Sequence, residues 1–278
     1  MGKDLQPILK WVGGKRKLLP SIKPVIANAG SFNRYIEPFI GGGAVLLSIQ
    51  PSNAIINDSN DALINLYQVI RNKPDELIAE LERHKLEHCK EHFLEVRSMD
   101  RSDRFHYLSD VVKAARIIYL NKTCFNGLYR VNRKGQFNTP LGSYKNPKIL
   151  EADAIWGLSE YLKKNKVEML CGDFREALAL AEEGDFVYLD PPYVPISETA
   201  NFTGYTAARF GHKDQVALHD ICADLDSKGI KFLLSNSDCE AVTNLYSGFH
   251  IQKINVTRSV NNTVGESKFI QEVLISNY

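Results

Sequence analysis

The sequence predicts an α/β fold: a mostly parallel sheet with an antiparallel edge strand, interrupted by an inserted, mainly helical region. Three observations predict it. Short apolar runs alternate with helix-length segments, the pattern of βαβ units. A glycine-rich turn follows the first of these runs, where open sheets of this kind bind nucleotides. Between the second run and the third lies a forty-residue block rich in Lys and Arg and free of Asp and Glu.

Composition sets the outer bounds. At 278 residues the chain can form one large domain or two small ones with a proper core. The net charge of +1 identifies no partner by itself. No apolar run approaches a membrane span, the first residues do not read as a signal peptide, and Gln6 stands where a myristoylation motif wants Ser or Thr. Five scattered cysteines with no C-x-x-C pair point to a reduced, cytoplasmic protein without a disulfide frame.

The first glycines, in Lys10-Trp-Val-Gly-Gly-Lys15, allow a tight backbone beside a ligand, and Lys15 offers a point charge for a carboxylate or phosphate. An ordinary basic turn before a helix over Leu18 to Ala27 is the competing reading. Tyr35 to Phe39 reads as a strand, Gly41-Gly42-Gly43 as a turn and Ala44 to Ser48 as a helix start. The fingerprint of NAD-binding folds wants a further glycine at position 46, and Leu46 stands there. The strand Ala54 to Asp58 ends in an acid suited to ribose hydroxyls, although Asp58 can also cap the helix Asp61 to Arg71.

Residues 73 to 110 read as helical, with Leu77, Leu81, Phe93 and Val96 on buried faces. His84, His88 and His92 recur at helical spacing but lack further ligands nearby, so they read as solvated residues and no metal is expected. Residues 111 to 150 carry eight cations: Lys113, Arg116, Lys122, Arg130, Arg133, Lys134, Lys145 and Lys148. Phe125, Tyr129, Phe137 and Tyr144 are interleaved with them. In a chain of balanced charge, such segregation marks a nucleic-acid surface. Arg130 suits the O6 and N7 of guanine, and Phe125 or Leu128 can wedge into a base stack.

Val167 to Phe174 reads as a strand with a polar end, where Phe174 flanks an adenine ring or joins the core. Phe186 to Leu189 is a buried strand stopped by Asp190-Pro191-Pro192-Tyr193. Neither proline can donate to a ladder and both fix φ, so the strand ends in a rigid corner. The corner offers a carboxylate, the Pro191 carbonyl and the face of Tyr193. Together these suit an exocyclic amino group on a flat ring. Two acceptors take its hydrogens and free its lone pair, while the aromatic ring stacks for roughly 1–3 kcal/mol. Ser197 to Lys213 forms a long polar loop holding Asn201 to Tyr205, suited to closing over a base. A helix over Gln215 to Leu225 follows, then a strand over Lys231 to Ser237. His250 to Val256 and Phe269 to Ser276 make a closing strand pair, with a polar loop over Thr257 to Lys268 suited to phosphate.

Lys10-Trp-Val-Gly-Gly-Lys15, Glu37-Pro-Phe-Ile-Gly-Gly-Gly43 and Leu189-Asp-Pro-Pro-Tyr193, in that order, resemble the Dam-type adenine-N6 DNA methyltransferases of the alpha group. Phe125 to Arg130, Phe137-Asn-Thr-Pro140 and Asn201-Phe-Thr203 resemble the DNA-contacting pieces of members acting on GATC. The resemblance implies a Rossmann-like methyltransferase sheet. Residues 1–60 and 151–278 would form the S-adenosylmethionine-binding catalytic domain, and 61–150 the target-recognition insertion. It implies cofactor contacts from Trp11, Lys15, Phe39, Gly41, Gly43, Asp58, Phe174 and Asp190, and catalysis at Asp190, Pro191, Pro192 and Tyr193. Double-stranded DNA would meet Lys10, Phe125, Asn126, Leu128, Arg130, Pro140 and Tyr144. The expected protein is a monomer or weak dimer. Transfer to cytosine N4 or RNA adenine, and a non-catalytic DNA-binding role, are the competing readings; a NAD-dependent oxidoreductase is more distant.

Overall fold

The structure is a computed structural model that describes residues 5–194, 210–258 and 268–278. Asn201 to Tyr205, and all but the ends of the loop over Thr257 to Lys268, lie outside the described residues.

Seven strands form one sheet: β1 (Tyr35–Glu37), β2 (Asn53–Asp58), β3 (Lys166–Cys171), β4 (Phe186–Leu189), β5 (Lys231–Ser237), β6 (His250–Arg258) and β7 (Lys268–Ser276). Their order is β3-β2-β1-β4-β5-β7-β6. The first five run parallel, and β7 pairs antiparallel with both β5 and β6. This is the Rossmann-like methyltransferase arrangement with its antiparallel edge. β1 is shorter than expected because Pro38 cannot donate to the ladder. Chain order reverses between β1 and β4, and open sheets bind ligands at the carboxyl ends of the strands flanking such a switch. Glu37-Pro38 and Asp190-Pro191 emerge there side by side.

The inner parallel strands β1, β2, β4 and β5 are buried on both faces, which is why they read as continuous apolar runs, while β3 at the edge is only partly buried. Along β4, Phe186 and Tyr188 join the apolar cluster on one side of the sheet, while Val187 and Leu189 join the other. The first cluster continues into α3 (Asp61–Asn72), α4 (Pro74–Leu86), α5 (Lys90–Ser98), α6 (Asp110–Thr123) and α7 (Ala152–Lys164). The second lies beneath α8 (Phe174–Leu178), α9 (His212–Ser227) and α10 (Glu240–Leu245). Two further helices, α1 (Leu19–Asn28) and α2 (Ala44–Ile49), flank β1 in sequence.

Asn60, not Asp58, caps α3, its side-chain oxygen accepting from Ala62 N at 3.1 Å. Leu77, Leu81, Phe93 and Val96 are buried as the pattern requires. The solvated reading fails for two of the histidines. His84 and His92 are buried, with Nδ1 of His84 2.9 Å from Nε2 of His92, and the His84 ring stacks on Tyr119 at 4.7 Å. Half-buried His88 meets the Tyr119 hydroxyl at 2.9 Å. They do not share one helical face: His84 lies on α4, His92 on α5 and His88 between the two helices, and all three converge on Tyr119 of α6. No helix among the described residues is long and apolar enough to cross a membrane.

Candidate active site

The corner after β4 is fixed by elements that arrive from far along the chain. Gln215 on α9 donates to the Pro192 carbonyl at 3.1 Å. At the end of β5, Asn236 accepts from Val194 N at 3.3 Å, and the Ser237 hydroxyl donates to Val194 O at 2.8 Å. The Tyr193 hydroxyl donates to Glu272 on β7 at 2.7 Å, and Glu272 is buried. A two-proline corner is stiff by itself; these bonds also fix where it points.

Lys15 is no basic surface turn. It is buried, pairs with Asp190 at 2.6 Å, donates to Gly13 O at 2.6 Å and lies over the Tyr193 ring at 4.6 Å. Its ammonium therefore touches two of the three groups that the corner presents, the Asp190 carboxylate and the Tyr193 ring. Burial raises the Asp190 pKa, the Lys15 charge opposes that rise, and Glu272 adds to it. Burial likewise pushes the Glu37 carboxyl up to about 8, against the lowering effect of the Tyr35 hydroxyl, which donates to it at 2.8 Å.

The glycine turn is held between Asp58 and Tyr67. Asp58 accepts from Gly41 N at 3.0 Å and from Asn60 N at 2.9 Å, and the Tyr67 hydroxyl donates to Gly41 O at 3.2 Å. Gly43 has φ 70°, and a Cβ there would lie 2.5 Å from the Tyr67 hydroxyl, so no side chain fits. A cleft runs between Trp11, Lys15, Glu37, the three glycines and Asp190. Phe174 is buried and stacks on half-buried Phe39 at 5.2 Å, so it belongs to the core as well as to the cleft's neighbourhood.

Across the cleft the basic segment forms irregular loops. Asn121, buried on α6, accepts from Lys10 N at 2.9 Å and donates to Lys10 O at 2.8 Å and to Gly127 O at 2.9 Å. It thereby joins the Lys10-Trp11 stretch to the Phe125-Asn126-Gly127 turn. Asn126 sits at φ 55°, a conformation Asn tolerates. Phe125, Leu128 and Tyr144 are exposed apolar side chains on this face. Phe125 N donates to Pro140 O at 2.9 Å, and Lys10 Nζ lies 5.7 Å from the Tyr144 ring. Trp11 stacks on Tyr129 at 5.1 Å, so the two sides share an aromatic contact. Arg130 is exposed, its Nε donating to Asn138 at 2.8 Å.

The acid-free block is thinner than it reads. Arg116 is buried on Asp100 at 2.7 Å, and Lys122 pairs with Glu151 at 2.9 Å. Arg130, Arg133, Lys134, Lys145 and Lys148 are exposed. Sequence reasoning did not single out Glu37, Asn121, Gln215, Asn236 or Glu272. A signal existed for Glu272, an acid inside an apolar strand, and for Glu37 at a strand end; nothing local marks the other three.

Fold and cleft together define an α/β protein whose glycine-lined cleft lies at the switch point of the sheet, beside a rigid two-proline corner and facing a basic loop surface. The chain belongs to the D12 class N6 adenine-specific DNA methyltransferases, whose family model matches residues 11–260. It is 46% identical over 275 residues to a type II methyltransferase of Lactococcus lactis subsp. cremoris, M1.LlaDCHI, covering 99% of this chain and 96% of the relative. It is 40% identical over 291 residues to the type II methyltransferase M.MjaIII of Methanocaldococcus jannaschii, covering 99% and 100%. The DNA adenine methylase of Escherichia coli K12 is 34% identical over 275 residues, covering 98% and 95%. This is an adenine-N6 DNA methyltransferase, which sets aside the cytosine, RNA, non-catalytic and oxidoreductase readings.

Proposed function

We propose that this methyltransferase uses S-adenosylmethionine and acts on the adenine of GATC in duplex DNA, everted from the stack. The observation that carries the reading is the corner itself: Asp190 and the Pro191 carbonyl beside the face of Tyr193, opening onto a glycine-lined cleft. The donor would lie along that cleft. Trp11, Lys15, Phe39, Gly41, Gly43, Asp58, Phe174 and Asp190 would hold it, with Asp58 taking its ribose hydroxyls and Asp190 bridging donor and target base. When bound, it supplies a methyl made electrophilic by a sulfonium.

The protein's part is positioning. The amino group of an adenine within the stack is out of reach, so the base must leave it. Asp190 and the Pro191 carbonyl then accept the two N6 hydrogens and aim the nitrogen's lone pair. Tyr193 stacks on the ring while Glu272 holds its hydroxyl, and Pro192 stiffens the bend. The Lys15 charge opposes the rise that burial imposes on the Asp190 pKa, and Lys15 yields the position it shares with the incoming amino group. On the DNA side, Phe125 fills the vacated stack with Asn126 near the orphaned thymine. Leu128 meets a thymine methyl, Arg130 a guanine, and Lys10, Pro140 and Tyr144 complete the contact face. Residues 61–150 form the recognition unit, and residues 1–60 and 151–278 the catalytic one. The protein works in the cytoplasm as a monomer or weak dimer.

Sequencing methylated bases in DNA from cells expressing the chain tests this directly. N6-methyladenine confined to GATC is the expected result; methylation at another sequence removes the site assignment. Failure of the purified protein to bind S-adenosylmethionine would remove the cofactor.

A further inference from the structure

A second polar centre lies outside the cleft, at the foot of the basic loops. Asp100 follows α5, and its side chain is 10% exposed. One of its oxygens accepts from Phe137 N at 2.7 Å and forms an ion pair with Arg116 at 2.7 Å; the other accepts from Arg101 at 3.1 Å. Arg116 is itself fixed, donating to Val96 O at 2.9 Å and Arg97 O at 3.0 Å. Arg101 reaches past Asp100 to donate to Phe137 O at 3.1 Å. Two adjacent side chains thus take both the N–H and the C=O of one residue, as a neighbouring strand would.

What they grip is the return limb of a short hairpin. Val131 and Phe137 form an isolated bridge, closed by Asn132 N to Gln136 O at 2.8 Å. So small a hairpin is marginal without outside support. The residue after Phe137 is Asn138, whose N–H donates to Arg130 O at 2.9 Å and whose side chain holds Arg130 Nε at 2.8 Å. With Nε engaged, the two terminal nitrogens of Arg130 remain for a base edge. A continuous path therefore runs from buried Arg116 through Asp100, Phe137 and Asn138 to Arg130.

We propose that Asp100 is a positioning residue for sequence discrimination, setting through the Phe137 backbone the register in which Arg130 meets its base pair. This rests on the reading of Arg130 as a base contact. A guanidinium on an unanchored hairpin still attracts phosphate, so losing the anchor costs selectivity more than attraction.

The test uses Asp100→Asn, Arg101→Ala, Arg130→Ala and the Asp100→Asn/Arg130→Ala double variant of the full chain. Single-turnover methylation is measured on the duplex site found by sequencing, and on the same duplex with each base pair replaced in turn. Arg130→Ala should relax discrimination at one base pair by about tenfold or more. Asp100→Asn should relax the same pair by about tenfold, and the double variant should go no further than Arg130→Ala alone, as coupled neighbours do. Arg101→Ala leaves the buried Asp100–Arg116 pair in place, so it remains informative if Asp100→Asn folds poorly; a smaller loss at that same pair is expected. Relaxation by Arg130→Ala with Asp100→Asn or Arg101→Ala slowing every duplex equally would overturn the proposal alone. No relaxation by Arg130→Ala at any position would overturn both it and the Arg130 reading.

Discussion

At the carboxyl edge of the sheet the buried and half-buried charged groups are mostly acids, Glu37, Asp58, Asp190 and Glu272, with Lys15 among them. In the helices over residues 61–123 the corresponding groups include bases: His84, His92 and Arg116. Burial disfavours charge in both places, with opposite consequences for protons. It raises the Glu37, Asp58 and Asp190 carboxyls toward protonation, Glu37 to about 8, and lowers His84 to about 4. Both regions are therefore built for a particular protonation state, and acid disturbs each by its own route. The edge carboxylates lose charge, and the buried His84 gains one.

The largest effect expected lies at the edge. Asp190→Ala removes the acceptor that aims the amino nitrogen, so methyl transfer should fall by at least about a hundredfold. DNA affinity, carried by the loops opposite, should stay within a few fold. Filter binding and a single-turnover assay measure the two separately; a matching loss of both would merge the two sides of the cleft into one unit.

Lys15→Met sharpens the same side. Asp190 is then largely buried without its cation, a loss on the order of 3 kcal/mol. With the Asp190 carboxylate as the proposed acceptor, activity should fall as pH drops through its pKa. Lys15 opposes the rise that burial imposes on that pKa, so its removal should move the acid limb of the pH–rate profile to higher pH. An unmoved limb would mean that another group sets it.

The helices answer acid through stability. His84 is buried with Nε2 unpartnered among the described residues, facing His92, Tyr119, Arg83 and, 3.8 Å away, Glu80. Its folded pKa of about 4 lies below the ordinary 6.5, so the unfolded chain binds the extra proton first. Stability present above pH 6.5 is lost as pH falls toward about 4, by about 2–3 kcal/mol at the low end. Thermal melts between pH 7.5 and 4.5 should show this, and His84→Gln should flatten part of the slope.

These contrasts also mark what the sequence could carry. Strand ends, the glycine turn and the Asp190 corner were readable because each is a local pattern: an apolar run, then residues that stop it. Arg116 and His84 were not, because their burial is decided by Asp100 and Tyr119, which approach only once the helices pack. Gln215 and Asn236 reach the corner from residues 23 and 42 further along the chain, so no spacing announces them. Glu37 and Asp190 converge only because strand order reverses between β1 and β4.

The smallest effect expected separates long-range charge from contact. Lys134 is exposed in the hairpin turn, where its backbone N–H donates to Asn132 at 2.9 Å, so the fold uses its main chain and leaves the ammonium free to meet solvent or phosphate. Each phosphate neutralised releases counterions, giving a slope near −0.9 per contact in log affinity against log salt. Lys134→Ala should therefore lower the salt slope of DNA binding by about one unit while leaving selectivity among sequences unchanged. Lys122→Ala is the paired control, since Lys122 already neutralises Glu151 at 2.9 Å and should leave the slope alone. Equal changes for the two would show that net charge, rather than placement on the loop face, governs binding.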